Sequence, residues 1–285
     1  MKANLEFHPS FFSKGDRPHL TEWSQPSLSE IAKTGVINCL DILAITSCVN
    51  AEHKDKRWEN YFEEKATGFI ERLNWNTHQG MRFRNPLANK TLYLIHGQEF
   101  KTDKGDVNIL FADKTLDATK IPSRTGANFG GLLIDFDYLL DAAQDSGENP
   151  LVLYYPRGDE LSILKLRELY QQGKLHALIS YNGMEGRRKQ KEIKEKVKSI
   201  GVPGIAVSDG HRLADMQSRI ILRTKSRPDF KYHELGGIVR RELDEGEERG
   251  YKNIEIPVSR FSQAFYLARL ANAIADENTP DWFRI

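Results

Sequence analysis

The run Gly204-Ile205-Ala206-Val207-Ser208-Asp209-Gly210-His211 constrains this chain more than any other stretch. Its apolar part has the length of one buried strand, and it ends in a carboxylate and an imidazole. An i, i+2 spacing on a strand puts Asp209 and His211 on one face. A buried strand that delivers such a pair at its C-terminal end is how a barrel enzyme builds a metal site. The neighbouring pattern agrees. Residues 150–155, 176–181 and 203–208 read as strands, with helices over 161–170 and 187–199 between them. That alternation predicts a parallel α/β architecture with reactive residues at C-terminal strand ends.

The N-terminal half reads similarly. Residues 3–8 form a short strand, and 9–26 a polar loop. Ser27 caps a helix with Glu30 reaching back, and Gly35 stops that helix after Thr34. A second buried strand covers 40–46, and two more, 92–99 and 106–112, flank a turn. Trp58, Phe62 and Phe69 have amphipathic helical spacing within the charged segment 50–90. Residues 129–143 turn helical, with Asp135 or Asp137 near the start. The glycine-rich 126–131 lacks the spacing of a dinucleotide fingerprint and reads as a loop.

Six short motifs, in order, carry a family resemblance. Asn4-Leu5-Glu6-Phe7-His8-Pro9-Ser10 looks like an opening DLHxHT motif, and Leu43-Ala44-Ile45-Thr46-Ser47-Cys48 resembles LAITDH. Ile95-His96-Gly97-Gln98-Glu99-Phe100 is similar to a PGIEI segment carrying a metal-bridging Glu. Val152-Leu153-Tyr154-Tyr155-Pro156-Arg157 resembles VLAHPxR, Leu178-Ile179-Ser180-Tyr181-Asn182-Gly183 resembles IEVYNG, and the stretch from Gly204 to Asp215 resembles GSDAHxLxD. Together they resemble the PHP (polymerase and histidinol phosphatase) superfamily over roughly residues 1–225. The resemblance implies an α/β fold, a distorted (β/α)7 barrel of PHP type. It leaves 226–285 as a C-terminal helical extension packed on the barrel, with an apolar-periodic helix near 261–275.

The chain departs from the family's ligand pattern. Glu6 stands at the first His of the opening pair, and His8 keeps the second. Ser47 and Cys48 replace the ligand types of the ITDH motif, and Tyr155 replaces the His of the HP pair. The resemblance therefore implies one usable metal site of Glu6, His8, Glu99 and Asp209. A second site lacks its ligand at Tyr155, whose ring is expected to fill the space, and a third is altered at Cys48. One or two divalent ions are expected rather than three, or none if the chemistry has been lost. Three carboxylates and an imidazole favour Mn²⁺, Mg²⁺ or Fe²⁺, with Zn²⁺ also accommodated. His211 and Arg157 are the expected catalytic residues, the first to bond a phosphate oxygen or move a proton, the second to neutralise phosphate charge. Taken singly, each has a plainer role. Glu6 and His8 read as an exposed edge pair, Glu99 as a solvated residue at a turn, His211 as a loop residue, and Cys48 as a small buried side chain.

Two functions follow. One is metal-dependent hydrolysis of a phosphoric ester, in a phosphorylated small molecule or at a nucleic-acid end. The other is a catalytically inactive barrel acting as a binding or regulatory subunit, with a protein partner. Hydrolysis of a C–N or C–O bond on a related metallo-barrel lacks an identifiable general base. At 285 residues with 39% hydrophobic and 28% charged residues, the chain reads as an ordinary soluble globular protein. A net charge of +1 supplies no field to recruit nucleic acid. The basic helix 187–198 carries acidic residues that break up its patch, and Arg82 and Arg84 fit packing better than nucleic-acid binding. No apolar run approaches a membrane span, no secretory signal opens the chain, and two cysteines suggest no disulfide framework. A cytoplasmic location is expected.

Overall fold

Strands β2 (Ile42–Val49) and β5 (Lys90–Thr102) are apolar at alternate positions of both parities, so both faces of their sheet must be covered. Ile42, Ala44, Tyr93 and Ile95 enter a large core, whereas Leu43, Ile45, Leu92 and Leu94 enter a smaller one outside the sheet. The computed structural model describes residues 1–8, 26–49, 57–65, 70–75, 77–85, 90–125, 132–147, 150–156, 161–209, 213–247 and 249–257. Helices α1 (Leu28–Ile37) and α2 (Arg57–Glu63) close the smaller core with Leu28, Ile31, Trp58 and Tyr61.

The remaining α-helices among the described residues are α3 (Phe136–Gln144), α4 (Ile163–Gln171), α5 (Arg187–Ile200) and α6 (Tyr232–Asp244). They bury Leu139, Leu166, Ile193 and Leu235 in the large core. Along the sheet run β11 (Gly204–Val207), β10 (Ala177–Asn182), β9 (Leu151–Tyr155), β6 (Gly105–Leu110), β5, β2, β1 (Lys2–Phe7), β12 (Arg219–Leu222) and β13 (Tyr251–Ile254). Strand β11 also approaches β1, β12 and β13, so the sheet curls into a nearly closed barrel. Side chains bridge the seam. Asn253 accepts from Ala206 N at 2.8 Å and donates to Gly204 O at 2.8 Å, and the Tyr251 hydroxyl donates to Gly204 O at 2.9 Å.

The fold is the expected α/β barrel, with local differences. The sheet is mixed, because β6 runs antiparallel to both β5 and β9, and β12 and β13 are antiparallel. Short strands β3 (Glu71–Leu73) and β4 (Gly80–Asn85) extend the β5 edge, and β7 (Ser123–Thr125) pairs with β8 (Leu132–Ile134). Too few residues alternate in these strands to show in the sequence. Ser27 and Glu30 form the expected capping box, but α1 runs past Gly35. That glycine serves close packing, since a Cβ there would sit 2.9 Å from Leu92 Cδ2. The polar loop at 9–25 and the helix near 261–275 lie outside the described residues.

Candidate metal centre

A one-residue irregularity in β1 aims the first two donors. Asn4 pairs with Leu43 and Phe7 with Ile45, so three steps on β1 match two on β2. Phe7 therefore shares the outer face with Ile45, and Glu6 and His8 turn inward. The inner face of β2 carries Ala44 and Thr46, and the register continues to β5 as Thr46 beside Gly97 and Cys48 beside Glu99. Gly97 leaves room for the barrel filling, because a Cβ there would approach Leu110 Cδ2 to 2.5 Å. Glu99, two residues on from Gly97, thus enters the same space as Glu6 and His8.

Asp209 arrives from β11. Its φ of +45° lies in the left-handed region, which Asp tolerates better than most residues. Asn182, at the end of β10, donates from Nδ2 to Asp209 Oδ2 at 2.7 Å. Gln190 of α5 bonds the Asn182 backbone at both N and O, fixing that strand end. A second relay ties β1 to β11: Asn4 Nδ2 donates to Ser208 Oγ at 2.8 Å, and Ser208 Oγ donates to Glu6 O at 2.9 Å. Sequence reasoning missed Asn4, Ser208, Gln190 and the role of Asn182. Asn4, Asn182 and Ser208 fall inside the sequence motifs, so polar residues in otherwise apolar strands were the available signal.

His8 Nε2 lies 3.6 Å from Glu6 Oε1, 3.5 Å from Glu99 Oε2 and 3.4 Å from Asp209 Oδ1. These separations exceed those of good hydrogen bonds. Atoms at such separations are close enough to share one cation about 2.1 Å from each. Donor atoms of Glu6, His8 and Asp209 all lie within 4.8 Å of one another. Glu99 stands outside that cluster of three while still reaching the His8 nitrogen. Glu6 is 3% exposed and His8 2%. Glu6 Oε2 is buried with no hydrogen-bond partner among the described residues. Burial, then the charges of Asp209 and Glu99, raise the Glu6 carboxyl to about 7, with His8 opposing the shift. A buried carboxylate with an unmet oxygen beside two more carboxylates fits a cation in chemistry as well as spacing.

The expected catalytic residues His211 and Arg157 lie outside the described residues. Tyr155 is buried at the end of β9, opposite Asp106 on β6. His96, close in sequence to Glu99, is not part of the centre. It stacks on Trp58 at 4.9 Å, and its Nδ1 meets Gln79 Oε1 at 2.8 Å. The basic helix α5 spends charge on neighbours, through Arg188–Glu192, Lys189–Glu185 and Lys194–Glu255. Arg82 donates to Pro228 O and Asn74 O.

No protein-family model and no curated protein matches the chain. Solved structures do. A two-domain protein from Bacteroides vulgatus containing a predicted PHP-like metal-dependent phosphoesterase superposes with a TM-score of 0.53 at 13% identity, over 94% of this chain and 69% of that one. A putative metal-dependent phosphoesterase from Bifidobacterium adolescentis gives 0.43 at 11% identity, over 73% and 87%. An amidohydrolase from Chromobacterium violaceum, with bound sulfate and no metal, gives 0.45 at 8% identity, over 86% and 96%. The first of these shows the fold. This chain shares the PHP-like fold of that protein, and Glu6, His8 and Asp209 form a cluster that could hold a metal ion. No helix among the described residues is long and apolar enough to cross a membrane.

Proposed function

We propose that this chain is a PHP-like barrel that keeps one divalent-cation centre and serves as a binding or regulatory subunit. Phosphate on a small molecule or a nucleic-acid end is its ligand. The observation that carries the reading is the grouping of three carboxylate oxygens around His8 Nε2 while tyrosine stands at position 155. The first supports retention of one cation, and the second supports loss of the neighbouring one. Glu6, His8, Glu99 and Asp209 would hold the ion, with Asn182 orienting Asp209. A bound cation supplies Lewis-acid attraction for phosphate oxygens. The chain's own part is to desolvate the ligand set and to fix it through the Asn4–Ser208 and Asn182–Gln190 contacts.

The same four donors favour a second reading, metal-dependent phosphoester hydrolysis, in which His211 and Arg157 act on the phosphate. Residues 1–225 then carry the donors, β13 adds a strand to their sheet from within 226–285, and that segment offers the surface for a protein partner. A free, exposed Cys39 supports a cytoplasmic setting. Elemental analysis of protein purified without chelator, then a panel of monoesters, diesters and nucleic-acid ends with Mn²⁺, Mg²⁺ or Zn²⁺, tests both. About one ion per chain with phosphate binding and no turnover supports the binding barrel. Turnover abolished by Asp209→Ala transfers support to the hydrolase, and no ion under any condition refutes both.

A further inference from the structure

Beside the four donors lies a charged group that none of the sequence motifs assigns. Lys101 follows Glu99 by two residues on β5 and so shares its inward face. Its Nζ lies 2.6 Å from Glu99 Oε1 and 3.1 Å from Asp106 Oδ2. Asp106 is opposite Lys101 across the β5–β6 ladder, and Tyr155 is opposite Asp106 across β6–β9. Asn108, opposite Glu99, is buried, and its Oδ1 has no hydrogen-bond partner among the described residues. Glu99 thus divides its oxygens, with Oε2 toward His8 and Oε1 on the ammonium.

We propose that the Lys101 ammonium is a built-in cation standing where a second metal ion would bind, and that it holds this centre to one divalent ion. The inference rests on reading Glu6, His8, Glu99 and Asp209 as a cation centre. Glu99 Oε1 and Asp106 Oδ2 are hard oxygen donors of the kind a second Mn²⁺ or Mg²⁺ requires. An ammonium is a donor only, so it takes those same lone pairs, and it repels a dication placed among them. Charge agrees with geometry. Glu6, Glu99, Asp106 and Asp209 bring four negative charges. One dication with Lys101 leaves a single negative charge, whereas two dications with Lys101 would leave an excess of positive charge. The Lys101 side chain is 39% exposed against 6% and 12% for its two partners, so the ammonium covers the carboxylates from the solvent side.

Manganese titration of the chelator-stripped full chain, followed by electron paramagnetic resonance, tests this. Wild type should bind one Mn²⁺ per chain and show an isolated-ion spectrum. Lys101→Met keeps most of the stem and removes the charge; it should admit a second Mn²⁺, at least tenfold weaker than the first, with a spin-coupled signal. Lys101→Arg keeps the charge and should stay at one ion, and Lys101→Gln serves where Met is not tolerated. Circular dichroism establishes that each variant is folded. Two ions in wild type, or one ion in folded Lys101→Met or Lys101→Gln, would overturn the proposal while leaving the cation centre standing. No ion in wild type defeats the cation centre itself, and this inference with it.

Discussion

Glu6→Gln should leave the cation-free protein less stable at pH 5 than at pH 8, although wild type should change little. Burial and neighbouring carboxylates raise Glu6 from 4.5 to about 7 in the folded state. The folded chain holds that proton more tightly than the unfolded chain. The resulting stability is fully present below 4.5, falls as the pH rises, and is gone above about 7. Between pH 8 and pH 5 it grows by about 2.5 kcal/mol. His176 acts in the opposite sense. Burial, then the Arg240 charge, lower it from 6.5 to about 3, and its Nδ1 accepts a hydrogen bond from Val152 N that the imidazolium would lose. Its contribution is present above 6.5 and lost as the pH falls toward 3, amounting to about 2 kcal/mol lost by pH 5. The two effects nearly cancel in wild type. Glu6→Gln keeps only the second and should lose about 2 kcal/mol from pH 8 to pH 5. His176→Asn, which retains an acceptor for Val152 N, should gain about 2.5 kcal/mol over the same change. Urea unfolding in chelator at several pH values measures each slope. Parallel curves for wild type and Glu6→Gln would refute the reasoning, because Glu6 would then titrate alike in both states.

Adding Mn²⁺ at about 100 times its dissociation constant should stabilise wild type by about 2.7 kcal/mol at pH 8 and by clearly less at pH 5, where protons compete for the ligands; equal shifts at both would count against carboxylate ligation. Asn182→Ala should weaken manganese binding about 10-fold to 100-fold by releasing Asp209, and Asp209→Ala should weaken it further, both read by calorimetric titration. Gly250→Ala should cost about 1–3 kcal/mol, because a Cβ there would collide with the Glu242 carbonyl of α6; an unchanged urea midpoint would show that this contact yields freely.

Strands whose apolar runs are continuous were legible from residues alone: β9, β10 and β11, with α4 and α5 between them, lie where alternation put them. The antiparallel course of β6 was less so, since its residues fit either direction and only the short turn at Thr102–Gly105 marks a hairpin. Grouping of Glu6, His8 and Asp209 followed from strand-end placement. The device that makes it work did not. A register irregularity in β1 is invisible in a six-residue strand, yet it decides which face Glu6 occupies. Lys101 went unnoticed because it sits in a segment that reads as a solvated turn. Its meaning comes from Asp106 across the hairpin, a contact that no local pattern encodes.

The Asn4–Ser208 bond joins positions 204 apart in sequence, at the seam where the first strand meets the last of the central strands. Such long-range contacts are entropically expensive to close and tend to form late in folding. Ligands gathered at that seam cannot meet until the barrel has shut around them. A cation there would act as a clasp on a finished ring, slowing its opening far more than hastening its closure. Its presence would then be felt chiefly in how long each molecule stays folded, and so in resistance to proteases whenever cleavage outpaces reclosing.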